Sequence, residues 1–342
     1  MNQVQAYHFI GLDIHKLSIA FCEKTVTGEV AARGTIRARK EEVIAFARSR
    51  TTPWVGGLEA TLFTGWVYDA LQPYALELQV GHPARLKALS KNKSDRIDAE
   101  MLANLLRADL FPTCHMASPR VRELRRVLRY RNLLVMEATR MKNKASGLLM
   151  ELGVEYAKSK LHGKKYFSEL LDTLTEVPAS VRELLRMTRV NIEMFTAAQR
   201  RLLEALTDHP ALSARVKLLE TVGGVGQVTA LTWALEIDDP HRFGNIKKVQ
   251  SYCGLCAAQH ESGGIERRAP LSKQRNPHLQ TILIEAAKLA PRHHAYLAQI
   301  RNTFLEQGYN KNRATLAVAR KLAAYLLAVD KSGHPFVVPG TQ

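Results

Sequence analysis

Apolar and polar positions repeat with two different periods along this chain, and the change falls near residue 119. In the first third, apolar runs of strand length stand between segments with helical spacing. "YHFIGLDI" (7–14), "LSIAFCEKT" (17–25) and "GEVAARGTI" (28–36) predict three strands, with Thr27-Gly28 as the turn before the third. "KEEVIAFARSR" (40–50) predicts a helix, "WVGGLEA" (54–60) a fourth strand, "TGWVYDALQ" (64–72) a helix and "LELQVGHP" (76–83) a fifth strand halted by Pro83. A further helix is expected from Ser94 to Leu106.

Three strands in a meander, then alternating helices and strands, is the order of a ribonuclease H-like α/β domain, expected over residues 1–115. From 119 to 215 strand signals stop. Leu124, Leu128, Val135, Ala138, Ala145, Leu149 and Leu152 fall on helical steps, and Val127, Leu134, Met141 and Leu148 recur every seven residues beside them. After a break between Gly163 and Pro178 comes a second stripe: Val181, Leu184, Thr188, Ile192, Phe195, Leu202 and Leu206. A coiled-coil hairpin and an ordinary helical bundle both satisfy this pattern over 116–215. Beyond it, "LLETVGGVGQVTALTWAL" (218–235) reads as helix, glycine-rich turn and helix. "YCGLCAAQHESGGIERRAPLSKQRNP" (252–277) reads as a basic, loop-rich stretch, and "HLQTILIEAAKLA" (278–290) and "NRATLAVARKLAAYLLAV" (312–329) as helices. The expected order is therefore α/β and then all-α, with a mainly helical domain over 216–330 and a tail over 331–342.

With 342 residues, 46% of them hydrophobic, the chain suits two or three domains, each with its own core. No apolar run of roughly 18 residues and no charged-then-apolar leader is found, so a cytosolic protein without a membrane partner is expected. Charge is more informative. Lys and Arg number 49 against 32 Asp and Glu, a net charge of +17. Nucleic acid is the natural partner, because each neutralised phosphate releases counterions and the cations are spread over folded segments instead of forming a tail. An architectural binder would carry the same excess, so charge does not separate enzyme from scaffold. Cys22, Cys114, Cys253 and Cys256 are too few for a disulfide framework. Cys253 and Cys256, with His260 near them, have zinc-like spacing but lack a fourth ligand, and two small buried side chains is the simpler reading.

Four acids carry candidate chemistry. Asp13 ends the first predicted strand and Glu59 lies near the end of the fourth; in the expected sheet those strands are neighbours. Asp95 and Asp98 in "KSDRIDAEML" share one helical face. Taken singly, each reads as an ordinary strand-end or helix-surface carboxylate. As a set they would repel one another unless divalent cations neutralise them, and carboxylate oxygens suit Mg²⁺ or Mn²⁺. Two such ions can assist both the attacking and the leaving oxygen in phosphodiester cleavage. His15 and Lys16 are either phosphate contacts or solvated turn residues.

Candidate nucleic-acid contacts fall in four groups. Arg120, Arg122, Arg125, Arg126, Arg129 and Arg131, continued by Arg140, Lys142 and Lys144, face only Glu123 and Glu137. Arg85, Lys87, Lys91, Lys93 and Arg96 lead into the Asp95–Asp98 segment, and Arg267, Arg268, Lys273 and Arg275 follow Ser262. Gly224 and Gly226 bracket a turn that is either a helix-hairpin-helix phosphate site or a tight helix corner. Tyr130 is a candidate for base stacking, and Trp66 is better read as core.

Six strings in chain order resemble one family: "IGLDIHK" with Asp13, "LEAT" with Glu59, "KSDRIDAEMLA" with Asp95 and Asp98, "GVGQVTA", "YCGL" and "ESGG". Together they resemble the insertion-sequence transposases with an aspartate-glutamate-aspartate-aspartate RuvC-like domain, also called bridge-RNA-guided recombinases, to which the Piv-type DNA invertases are related. The likeness covers almost the whole chain. It implies a RuvC-like domain, a coiled-coil insertion and a C-terminal transposase domain. It implies further that Asp13, Glu59, Asp95 and Asp98 hold Mg²⁺ or Mn²⁺, and that Ser262 attacks the scissile phosphodiester to form a phosphoserine link. Gly263 and Gly264 would then admit the DNA backbone. The acids of one subunit would face the serine of another, in a homodimer assembling to a tetramer on DNA. A structured noncoding guide RNA would pair with donor and target DNA, leaving the protein to read duplex shape. Two departures leave local loop geometry open: Gly223 stands where the family often has proline, and Arg275 where it has glycine. A RuvC-like endonuclease using water, with Ser262 dispensable, is the competing enzyme.

Overall fold

The computed structural model describes residues 7–89, 95–262 and 265–337, with 95–97, 258–262 and 265–269 described through their backbone. The chain divides into two compact units, Met1–Pro119 and Arg120–Gln342.

In the first unit β1 (His8–Ile14), β2 (Ser18–Lys24) and β3 (Val30–Arg37) form an antiparallel meander, followed by α1 (Lys40–Arg48). β4 (Trp54–Glu59) pairs in parallel with β1, α2 (Thr64–Leu71) follows, and β5 (Glu77–Gly81) pairs in parallel with β4. The sheet order is β3-β2-β1-β4-β5. α3 (Pro83–Leu89) and α4 (Asp95–Arg107) complete the unit. Pro83 does more than end a strand: it opens α3, since the first helical position needs no N–H.

Alternation along the strands builds two cores. Ile10, Leu12 and Ile14 of β1 with Trp54 and Leu58 of β4 pack on Val43 and Phe46 of α1 and Val67 and Leu71 of α2. Phe9, one position out of phase, packs instead with Leu102 and Leu106 of α4 and with Phe111. Ala99, Leu102, Ala103 and Leu106 form the buried stripe of α4 at helical spacing.

The second unit is helical apart from one hairpin. α5 (Pro119–Glu151) and α7 (Ala179–Thr207) cover the two sequence stripes; Leu124, Leu128, Leu134, Ala138, Ala145, Leu148 and Leu149 are buried on α5, while on α7 Leu185, Thr188, Ile192 and Leu206 are buried and the expected Leu184 is exposed. Between them α6 (Lys164–Thr173) occupies the expected break, because Phe167, Leu170 and Leu171 close a small core with Leu149, Leu161 and Leu185. The start of α5 serves a larger core instead. Leu124 and Leu128 join Trp233, Leu235, Leu283 and Leu322 there. That core gathers α8 (Pro210–Glu220), α9 (Gln227–Ile237), α10 (Ile246–Tyr252), α11 (Pro277–Leu289), α12 (Ala295–Glu306) and α13 (Lys311–Ser332).

The stretch expected to be loop-rich holds an antiparallel pair, β6 (Ala257–Ser262) and β7 (Ile265–Leu271). Neither strand alternates cleanly, so hydrophobic pattern does not announce it. Among the described residues no helix is long and apolar enough to cross a membrane.

Candidate catalytic site

Strand parity and register decide where the acids go. Leu12 of β1 and Leu58 of β4 are register partners, so Asp13 and Glu59 each stand one step beyond that pair, on parallel strands about 4.8 Å apart. Both are out of phase with the Leu12 and Leu58 face and lie on the side that receives α4. Behind Glu59 the turn is pinned: the Thr64 hydroxyl donates to the Glu59 carbonyl at 2.6 Å, and the Thr61 N–H donates to the Thr64 hydroxyl at 2.7 Å.

Asp98 arrives on α4, and Gly11 permits it. A Cβ at residue 11 would lie 2.0 Å from the Ala99 carbonyl oxygen and 2.6 Å from the Ala103 nitrogen. Any side chain there would drive α4, and Asp98 with it, off the sheet. The sequence shows a glycine two residues before the strand-end acid, but its purpose emerges only with the helix in place.

The electrostatics register the convergence. Burial, then the negative charges of Asp13 and Asp98, push the Glu59 carboxyl above its ordinary value, and His15 opposes them. His15 Nε2 lies 2.9 Å from Asp13 Oδ2, with the Asp13 side chain 13% exposed. Asp95 opens α4 one turn before Asp98; its side chain lies outside the described residues. Among the described residues, no three His, Cys, Asp or Glu side chains already stand in metal-holding geometry. The fit to a divalent cation rests on hard oxygen donors and on like charges that a cation would relieve.

Ser262 ends β6, opposite Ile265 of β7, at the far end of the hairpin from the Ala257 and Leu271 pair. The side chains of Ser262, Arg267 and Arg268, and the whole of Gly263 and Gly264, lie outside the described residues. Lys273 is exposed, and Arg275 donates to the Ser272 carbonyl at 2.9 Å.

The basic run on α5 splits into two kinds of residue. Arg120 and Arg126 are exposed, and Arg122 and Arg131 are half-buried, burial lowering the Arg131 value. Arg125 instead donates to the Leu235 carbonyl at 2.6 Å. Arg129 grips both carboxylate oxygens of Glu236 at 2.8 Å each. Glu236 is fully buried and also accepts from the Asn276 amide at 2.8 Å. Burial pulls its value up, but Arg129, Asn276 and Arg125 outweigh that and hold it below the ordinary carboxylate range. This acid lies over a hundred positions away from its arginines in sequence, and the local charge count does not reveal it.

Arg85 and Lys87 are exposed on α3; Lys91 and Lys93, and the Arg96 side chain, lie outside the described residues. Gly224 has φ of 89° and packs so tightly that a Cβ would lie 2.5 Å from Ala290 Cα, whereas Gly226, at the start of α9, has open space around it. Tyr130 is 57% exposed, and Trp66 packs on the sheet core. Cys253 is a buried thiol whose value burial pushes up to about 12.

Comparison with known proteins agrees with both units. Residues 10–153 match the DEDD transposases of the IS110 type, and residues 216–301 match the family described as Transposase IS116/IS110/IS902. The chain is 27% identical over 331 residues to the transposase for insertion sequence element IS1111A of Coxiella burnetii, covering 94% of this chain and 88% of that one. It is 28% identical over 272 residues to a probable family 20 transposase of Pseudomonas aeruginosa, covering 75% and 80%. A shorter likeness, 28% over 130 residues and 37% of this chain against 40% of the other, reaches the pilin gene-inverting protein of Moraxella bovis. The DEDD domain points to a divalent-metal dependence. With its acids gathered at the end of an α/β sheet and a match in each half, the chain belongs to the IS110/IS116 transposases and is a DNA transposase or recombinase.

Proposed function

We propose that this protein cuts and rejoins the strands of a mobile element through a phosphoserine intermediate. The first unit acts as a RuvC-like domain in which Asp13, Glu59, Asp95 and Asp98 hold Mg²⁺ or Mn²⁺. A divalent cation bound there would neutralise the acids and polarise phosphate oxygens. The supporting observation is the β1 and β4 register, with Asp13 and Asp98 both raising the Glu59 value.

Within that arrangement His15 orients the Asp13 carboxylate through their contact, and the pinned turn after β4 holds Glu59 in place. The Ser262 hydroxyl attacks phosphorus, forms a serine–phosphate ester and displaces one deoxyribose oxygen, which leaves as a hydroxyl after taking up a proton. A deoxyribose hydroxyl of the partner strand then attacks that ester and releases Ser262. One phosphoester bond forms as another breaks in each step, so resealing needs no external energy source.

The acids of one copy would serve the serine of another, in a dimer that assembles to a tetramer on DNA. An apolar face on α7, with Leu184, Met187, Val190 and Met194 all exposed, supports an oligomer. The net charge of +17 supports a second polyanion besides DNA, and we assign it to a structured guide RNA whose base pairing supplies sequence specificity. The proposed division runs as a catalytic domain over 1–115, a coiled-coil region over 116–215 and a transposase domain over 216–330.

The test is Ser262→Ala on cognate DNA with Mg²⁺. Binding is expected to survive and the covalent protein–DNA adduct to vanish on denaturing gels. Cleavage at the wild-type rate would overturn the mechanism in favour of water as nucleophile.

A further inference from the structure

A cleft of about 1290 Å³ opens in the second unit beside the hairpin base, where Ala257 and Leu271 line it. Lys247, Lys288, Arg313 and Arg320 line it as well, and no carboxylate does. Among the described residues only Lys288 of these four pairs with an acid, Glu285 at 2.6 Å. Arg320 directs its Nε to the Leu255 carbonyl at 2.7 Å. Phe304, Tyr309 and Arg313 cluster in its lining: the two rings meet at a tilt of 41° with centres 5.4 Å apart, and the guanidinium carbon lies 4.2 Å from the Tyr309 ring centre.

Lys247 and Arg313, which have no acid partner among the described residues, call for a polyanion, and rings beside a planar guanidinium call for flat bases, so the chemistry is that of a nucleotide chain. Ring faces select among nucleic acids: a single strand exposes its bases for stacking, whereas a duplex keeps them stacked on one another. Position selects again. β6 has 6 residues and places Ser262 about 17 Å along the strand from Ala257 at the cleft.

We propose that this cleft seats the single-stranded DNA next to the phosphate that reacts at Ser262, an assignment that rests on the strand-transfer chemistry above. It keeps a freed strand near the hairpin between cleavage and rejoining.

The experiment uses the full chain and a mixed-sequence single-stranded oligodeoxynucleotide, with the same sequence as duplex and as RNA. Lys247→Ala with Arg313→Ala should weaken single-strand binding about tenfold or more. It should also reduce the slope of log affinity against log salt by about 1.4, at about 0.7 per lost phosphate contact. Tyr309→Ala should cost about tenfold through lost stacking. Duplex binding should hold. Lys247, Arg313 and Tyr309 are exposed, so unchanged thermal unfolding is expected to accompany these losses. As a check that needs no variant, the oligodeoxynucleotide should slow alkylation of Cys256, which lines the cleft. Unchanged single-strand affinity in the variants, unaltered Cys256 alkylation, or a loss confined to RNA each overturns the assignment. If these losses appear while Ser262→Ala still cleaves at the wild-type rate, the serine chemistry fails and the binding cleft stands; an adduct that depends on Ser262 beside unaffected cleft variants fails the cleft alone.

Discussion

Glu59 in the first unit and Glu236 in the second are both drawn away from water, and their affinities for a proton move in opposite directions. Around Glu236 the protein supplies the counter-charge itself: Arg129 in a two-pronged grip, Arg125 nearby and the Asn276 amide. Around Glu59 it supplies more negative charge, from Asp13 and Asp98, and among the described residues His15 opposes them. One carboxylate is complete within the fold and joins α5, α9 and the start of α11. The other meets like charge that a bound divalent cation would relieve, in keeping with the metal dependence to which the DEDD domain points.

The sharpest way to break this contrast is Glu59→Gln. Cleavage of cognate DNA should fall at least about a hundredfold, the size of loss typical when one charge-stabilising group is removed. Thermal stability in metal-free buffer should hold or rise, because at neutral pH a carboxylate with a raised value costs stability when ionised. A marked fall in melting temperature would make Glu59 structural. Glu236→Ala should do the reverse. Removing one partner of a buried pair strands Arg129 and the Asn276 amide, and about 3 kcal/mol of stability should be lost in denaturant unfolding. An unchanged midpoint would mean that the pair contributes nothing.

The smallest effect is in pH. The lowered Glu236 value means that its stabilisation is full above its unfolded value, near 4.5, and fades as pH falls through the lower folded value. Glu236→Gln should therefore flatten the acid limb of the melting temperature against pH. A limb as steep as in the wild type would assign the acid sensitivity to other carboxylates.

Much of the first unit was legible because strand alternation and helix spacing are local. Asp13 and Glu59 share a face through the phase of their strands, and Asp98 sits at a spacing that the helix converts into a direction. The family likeness added weight to the same residues. Less legible was whatever depended on partners far along the chain. The arginines of α5 form a basic run in sequence, yet Arg129 is paired with an acid from α9. Gly11 reads as a pause in a strand until α4 lies against it. The β6–β7 hairpin has no clean alternation, and α6 filled an apparent gap because a small core needed Phe167.

Sequence alone therefore determined the order of elements in the first unit and the excess of cations, since the one follows from neighbours and the other from a sum over residues. Tertiary structure decided which acid faces repulsion and which is neutralised, and which cations line a cleft. Charge interactions reach only a few ångströms with full strength, and folding alone sets which distant residues come that close.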